Sequence, residues 1–572
     1  MINDPPLRHA APVAAALAAA LLTACSNPLR PRDADYAPRL DPERTRHIRP
    51  LELVPSSEPE PLGEVVTRFD ARESYELSLA EARASALAGN IDIRVALVDP
   101  AIAAEALSEQ EAAFEASFGL RAFYASTDTP TASQLTDATA ETLTITPDFT
   151  VPLYTGGAAS VALPITRRET SSEFATLNPA YTSDLEFSLS YPLLRGAGRR
   201  ATTYAVRVAS FNHRISEART KLAIIQQLAA VETAYWRLYQ VRRELDVRRQ
   251  QYDLAIAQLE RAERRVRLGE AAEIEVIRAQ AGAADRLEAI ILAYNAILQA
   301  QRELKRLMNM GNVGVTDDTT IIPITDPDPM LYELDRPRLL ELAARQRMEL
   351  LEAELQLARD LTDIELRENQ ALPQLDVTAT YRINGLGRDL GDSFETMVEN
   401  DFEDWELGLT GSIPLGNEAA LSRLRSSILL RMQRLSSRQG QRQLIEQEVL
   451  DAVERMRADW QRILAARESV ALTTRQLAAE ERQFEVGAAT SNDVLDAAAQ
   501  LADAQSAEIR ALADYQIAQI NLAVATGSML GASRILWQPS GRPGLDGYRY
   551  APKAPGDGIA LPGDEQEDGR PR

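Results

Sequence analysis

One event happens twice in this chain: an alternating strand runs into Pro-Leu and then into a very long polar helical run. Pro192-Leu193-Leu194-Arg195-Gly196 closes the first strand, and Pro414-Leu415-Gly416 closes the second. The flanks repeat as well. Val266-Arg267-Leu268-Gly269 and Phe484-Glu485-Val486-Gly487 interrupt helical runs at an offset of 218 residues, which also relates Val276 to Val494, Ala279 to Ala497 and Val231 to Val449. Upstream, Phe118, Leu120 and Tyr124 match Leu375, Val377 and Tyr381 at an offset of 257. A whole helix–strand–strand–helix unit is therefore duplicated, and a repeat of this kind decides the fold before any single element does.

The strands alternate with period two. Leu185, Phe187, Leu189 and Tyr191 oppose Glu186, Ser188 and Ser190, and in the second unit Leu407, Leu409 and Ile413 oppose Glu406, Gly408, Thr410 and Ser412. Such a strand either half-buries in a soluble sheet or crosses a bilayer with its apolar face to lipid. Four main strands, two per repeat, cannot close a barrel, and an open edge is not tolerated in lipid. Membrane insertion thus requires several chains to share one barrel. A further hairpin at about 141–168, built around Gly156-Gly157, has no counterpart in the second repeat and is expected outside the cell.

Between strands, the run from about Ala201 to Leu268 holds neither proline nor glycine. Leu222, Ile225, Leu228, Val231, Tyr235, Leu238, Val241 and Leu245 recur at spacings of three and four. At ~1.5 Å per residue such a rod approaches 100 Å. It cannot bury its stripe alone, so it calls for partner helices in coiled-coil fashion. Gly269 and Gly487 read as the tips of two long helical hairpins. Composition agrees: only 5% of residues are aromatic and 26% are charged, as in long helices. The net charge of −22 argues against nucleic acid as a partner.

The amino terminus bears on location. An apolar run from Ala11 to Leu22 leads to Leu22-Thr23-Ala24-Cys25, and Cys25 is the sole cysteine. The run suits a signal-peptide core rather than a membrane span. Leu-Thr-Ala-Cys resembles a lipobox, in which cleavage leaves an acylated Cys25, and Ser26 after it favours the outer membrane. These readings divide the chain into a signal peptide (1–24), a lipid-anchored irregular leader (25–72), a first repeat (73–335), a second repeat (336–532) and a disordered acidic Pro/Gly tail (533–572). Ser78 and Glu81 have capping-box spacing at the start of a helical run that continues past Asn90, with Pro100 as the expected kink.

Taken together, Leu79-Ala80-Glu81-Ala82-Arg83, Ala86-Leu87-Ala88-Gly89-Asn90, the Pro192 to Gly198 stretch, Ala234-Tyr235-Trp236-Arg237-Leu238, Pro414-Leu415-Gly416 and Asp493-Val494-Leu495-Asp496-Ala497 resemble the TolC-like outer-membrane efflux proteins, in their lipoprotein branch. The resemblance implies a mainly α fold with a membrane β portion: a homotrimer whose twelve-stranded β-barrel continues into a long periplasmic α-helical barrel. It implies an exit duct for efflux or secretion, served by a periplasmic adaptor and an inner-membrane transporter and seated in outer-membrane lipid. It also places Asp493 and Asp496 at the periplasmic constriction, where three copies present a carboxylate ring that attracts cations. Glu275 keeps the acidic gate partner, but Phe484 offers no hydroxyl and Ala489 no guanidinium, so the polar latch of the family is incomplete here.

Neither catalysis nor a cofactor or metal finds support. The histidines are His9, His47 and His213, and no phosphate loop, nucleophile elbow or metal-ligand spacing occurs. Two rivals to the duct are a membrane-tethered coiled-coil scaffold with no transport role and a passive porin, the latter at odds with the long helices because porins keep short periplasmic turns.

Overall fold

The computed structural model describes residues 72–131, 137–172, 174–311, 313–486 and 488–536. Cys25, the signal peptide, nearly all of the leader, Gly487 and the tail from Trp537 onward lie outside the described residues.

The chain begins with β1 (Ser74–Leu77), then α1 (Leu79–Gly89) and α2 (Ile91–Ala112). The Ser78 hydroxyl accepts from the Glu81 N–H at 3.1 Å, as the capping spacing predicts. The helical run breaks at Asn90, not at Pro100. Asn90 is extended and its side chain caps α2 through the Ile93 N–H (3.0 Å), while Pro100 lies inside α2. A sheet region follows: β2 (Ser117–Asp128), β3 (Thr139–Leu153), β4 (Gly157–Ala162), β5 (Ile165–Thr170), β6 (Ala180–Ser183) and β7 (Leu185–Pro192). Next come α3 (Tyr204–Arg267), α4 (Glu273–Met308) and β8 (Thr320–Pro323).

The second repeat runs α5 (Arg336–Gln346), α6 (Met348–Gln370), β9 (Gln374–Ile383), β10 (Leu386–Gly387), α7 (Leu390–Glu399), β11 (Glu403–Ser412), α8 (Glu418–Glu485) and α9 (Ser491–Ala525). Among the described residues, helix α7, between β10 and β11, has no first-repeat equivalent. No described helix is long and apolar enough to cross a membrane.

The long helices form as the periodicity requires. α3 has 64 residues and α8 has 68. Of the expected α3 stripe, Ile225, Leu228, Val231, Tyr235, Leu238 and Leu245 are buried. They pack against Tyr294, Ile297 and Leu304 of α4 and against Leu77, Ala82, Ala86 and Ile93. The main core thus sits where α1, α2, α3 and α4 meet the parallel β1–β8 pair, and the Tyr235 hydroxyl ties it together by donating to the Leu77 carbonyl at 3.1 Å. α8 is different: Leu429, Leu430, Met432, Leu435 and Leu444 are all exposed along it.

The large sheet corrects one expectation. Its nine strands fill six positions side by side. β2 pairs with β3 along its whole length. The other edge of β3 takes β4 near one end and β5 near the other, so those two share a position. β6 and β7 share the next, β9 and β10 the one after, and β11 is the far edge. Pro164, which has no N–H, marks the break between β4 and β5, yet hydrogen bonding continues across it: the Leu163 N–H donates to Pro147 O and the Asp184 N–H to Pro164 O, both at 3.0 Å. The hairpin at about 141–168 is part of the sheet, inserted between β2 and β7. One chain contributes six strand positions where the sequence argument counted four.

Candidate functional site

Because directly paired residues share a face, the register sorts the sheet into two surfaces. On one, Phe118, Phe149, Val161, Phe187, Tyr381 and Trp405 form a row crossing all six positions. A neighbouring row holds Val151, Ala159, Leu189, Ala379 and Leu407. On the other surface the corresponding rows are Gly119, Asp148, Ala162, Glu186, Arg382 and Asp404, and Thr150, Ser160, Ser188, Thr380 and Glu406. An ion pair between Arg382 and Glu186 (2.8 Å) lies on this polar side. Over these rows one face suits hydrocarbon and the other water; beyond them, at one end of the sheet, Arg167 lies opposite Leu143 and Glu169 opposite Glu141 on the apolar side.

Both strand-to-helix transitions lie at the same end of the sheet and line one cavity of about 810 Å³, which includes Arg195, Gly196, Asn369, Pro414 and Asn417. Pro192 ends β7, and Gly196 follows with φ +86°. Its N–H donates to Asn369 Oδ1 at 2.7 Å, a contact that sequence reasoning missed. Gly416 has φ +85°, and Asn417 beside it is also left-handed and donates to the Ala371 carbonyl at 2.7 Å. Gly196 and Gly416 are thus the residues that tolerate the sharp exit from sheet to helix. The β3–β4 turn docks at this same end. The Gly198 N–H donates to Thr155 O at 2.8 Å, Tyr154 stacks on Phe114 at 4.4 Å, and a Cβ on Gly156 would come within 2.3 Å of the Gly196 carbonyl.

At the far ends of the long helices stand the two hairpin tips. At the first, Gly269 has φ +76°, the Gly269 N–H donates to Val266 O (2.9 Å) and the Glu270 N–H to Arg265 O (2.8 Å). This bond pair is the Schellman arrangement that closes a helix. At the second tip the Ala488 N–H donates to Gln483 O at 2.8 Å, the same bond in the other repeat. The tips adjoin. Arg261, Arg265, Glu275, Arg278, Phe484 and Thr490 line a common cleft of about 200 Å³.

The expected gate residues fall here with unequal roles. Glu275 is paired with Arg278 of its own helix at 3.1 Å rather than with a residue across the cleft. Asp493 is exposed and completes a capping box: its carboxylate accepts from both the backbone N–H and the hydroxyl of Thr490, each at 2.7 Å. Those bonds hold its pKa below the ordinary aspartate value, the backbone bond being the larger cause. Asp496, one turn on, is exposed too. Thr490 escaped the sequence reading, although Thr490-x-x-Asp493 follows the helix-start spacing.

This sheet, with two surfaces of opposite polarity and a pair of long helical hairpins behind it, defines a TolC-like outer-membrane channel fold. Residues 339–528 match the family model described as outer membrane efflux protein. The CmeC outer membrane channel of Campylobacter jejuni superposes with a TM-score of 0.59 at 14% identity, covering 84% of this chain and 94% of that one. The outer membrane protein VceC of Vibrio cholerae gives 0.57 at 16%, covering 78% and 96%. The open state of the MtrE outer membrane channel of Neisseria gonorrhoeae gives 0.55 at 15%, covering 79% and 89%. No curated protein sequence matches the chain. The family is one of transport ducts rather than enzymes.

Proposed function

We infer that the protein is the outer-membrane exit duct of an efflux or secretion system, and that three copies assemble around one axis. The observation that carries this reading is the sheet register: rows of apolar residues cross all six strand positions on one surface and are backed by polar rows on the other, on the fold of outer-membrane channels. A tethered scaffold would have no use for an apolar band facing outward on its sheet. The exposed leucines of α8 supply a further surface for self-association.

In this reading Cys25 is acylated and helps hold the chain to the outer membrane, the helical hairpins extend into the periplasm, and a periplasmic adaptor joins them to an inner-membrane transporter that supplies the energy. Asp493 and Asp496 ring the periplasmic mouth. Closure rests on packing of the tips around Phe484, because Glu275 is engaged with Arg278. The test is reconstitution into planar bilayers. A detergent-extracted trimer giving discrete, cation-selective conductance steps is the expected result. Release of the protein by high pH alone, with silent bilayers, would favour the scaffold. Labelled palmitate that fails to enter the wild-type chain, or enters a Cys25→Ser variant equally, would remove the anchor alone.

A further inference from the structure

We propose that β3 and the joined β4–β5 strand are wall strands, so that three copies close an eighteen-stranded barrel rather than a twelve-stranded one. The proposal rests on the duct reading above and concerns the exit that duct makes.

Three observations carry it. The inserted strands obey the membrane alternation of their neighbours. Leu143, Ile145, Pro147, Phe149 and Val151 all fall on the apolar surface, and Thr144, Thr146, Asp148 and Thr150 on the polar one. The pattern holds from Leu143 to Val151, opposite Phe118 to Tyr124 of β2, and gives way to charge only at the far end, where Glu141, Arg167 and Glu169 share that face; an extracellular hairpin surrounded by water has no reason to keep it over nine residues. The insertion also spans the whole sheet: Thr139 lies opposite Asp128 at one end, and the β3–β4 turn docks against Gly196 and Gly198 at the other. Finally, every neighbouring pair is antiparallel, so an even number of positions leaves β2 and β11 as edges running in opposite directions.

Those edges bear Phe118, Leu120 and Tyr124 on one side of the chain and Trp405, Leu407 and Leu409 on the other, all strongly exposed. Their outer backbone groups have no partner within the sheet, which hydrocarbon does not tolerate. The occupant that fits is a second copy of this chain, with β11 of one copy pairing antiparallel to β2 of the next. A stranger's strand would have to match both the register and the two-faced pattern. Barrel diameter grows roughly linearly with strand number, so going from twelve to eighteen strands widens the exit about 1.5-fold.

The test uses the full-length chain with single cysteines at Thr131 and Thr155, the parent chain serving as background for Cys25. The label is a bulky, membrane-impermeant PEG-maleimide. Thr131→Cys, in the β2–β3 loop, is expected to react on intact cells. Thr155→Cys, in the β3–β4 turn, is expected to react only after the outer membrane is permeabilised. Labelling of both on intact cells puts the hairpin outside and overturns the proposal while leaving the duct reading standing. Labelling of neither on intact cells, or of Thr155→Cys alone, overturns the outer-membrane orientation and with it both readings. Imaging of the wild-type assembly in lipid nanodiscs gives the second measurement: eighteen strands support the proposal, twelve sink it, and a particle without a barrel sinks the duct.

Discussion

Asn90 and Arg347 stand at the same joint of the two repeats, each fastening a helix break to the end of a return helix. Asn90 donates to the Leu307 carbonyl at 2.8 Å, and Arg347 to the Ala525 carbonyl at 3.2 Å. The donors are 257 residues apart and the acceptors 218, the two offsets that relate the repeats throughout. Both donors are buried, and both end one helix and begin the next. Duplication has kept the joint while changing the chemistry from a neutral amide to a guanidinium.

Stability should register that change. Asn90→Ala removes a helix cap and leaves a buried carbonyl without its donor, a loss of about 1–2 kcal/mol. Arg347→Ala also strips Glu349 and Glu448, each 2.8 Å away, of their cation. Because those carboxylates are only partly buried, about 3 kcal/mol is expected, at the low end for a broken buried pair. Arg347→Lys should recover only part, since an ammonium cannot reproduce the fork. Thermal unfolding followed by helical circular dichroism ranks the three; equal midpoints for Asn90→Ala and Arg347→Ala would refute the argument.

Charge placed on the sheet should distinguish its faces. Leu189→Arg sets a guanidinium among Ala159, Ala379 and their apolar neighbours, whereas Ser188→Arg sets one beside Ser160 and Thr380 on the polar side. A lipid-facing arginine near the bilayer midplane costs about 2–4 kcal/mol. Leu189→Arg should therefore lower the assembled, heat-modifiable fraction in membranes, while Ser188→Arg leaves assembly intact and shifts ion selectivity. The reverse ranking would mean that the faces have been exchanged.

The sequence carried most of this architecture because its devices are local. Alternation, glycine tips and helical stripes can be read from neighbours, and the 218-residue offset paired the elements. The inserted hairpin at about 141–168 was legible as strands. Its place in the sheet was not, since pairing of β3 with β2 and β4 with β7 is settled by long-range register. The β1–β8 pair escaped for the same reason, as did the Asn369 contact to Gly196. At the gate, Asp493 was legible as a carboxylate near a tip, but its engagement by Thr490 depends on the conformation of the cap.

That engagement dictates which substitution tests the gate. Asp493→Ala would remove charge and cap together. Asp493→Asn keeps a carbonyl oxygen to accept from Thr490, so the Asp493→Asn/Asp496→Asn double variant removes six charges from a trimer with the helix start preserved. Reduced cation selectivity and weaker block by multivalent cations are expected in single-channel recordings, with the trimer unchanged. Wild-type selectivity in a trimeric double variant would show that these carboxylates do not face the pore.

The depressed pKa of Asp493 fixes the pH response. Its folded value lies below the ordinary 3.8, so its contribution to the cap is fully present above that pH and is lost as pH falls through the folded value. Gate charge from Asp493 should accordingly be constant from pH 7 down to about 5. Reversal potentials under a salt gradient, recorded for the Asp496→Asn variant to isolate Asp493, should be flat across that range. A midpoint near pH 6 would show that crowding among copies outweighs the cap.

The short parallel pair of β1 and β8 sets an order of events for a chain made from its amino end. Ser74 is matched to Thr320, and Leu77 to Pro323, so the first strand has no partner until residues far along the chain have arrived. By then the first set of membrane strands and the whole first helical hairpin already exist. Contacts of such long sequence separation form late and slowly. Tyr235, whose hydroxyl donates to Leu77 and accepts from the Thr325 N–H, can complete both bonds only at that moment. The first repeat is thus a lock whose bolt is carried by the connector to the second, and a chain cut short before residue 320 would retain both long arms of its first hairpin and still be unable to close.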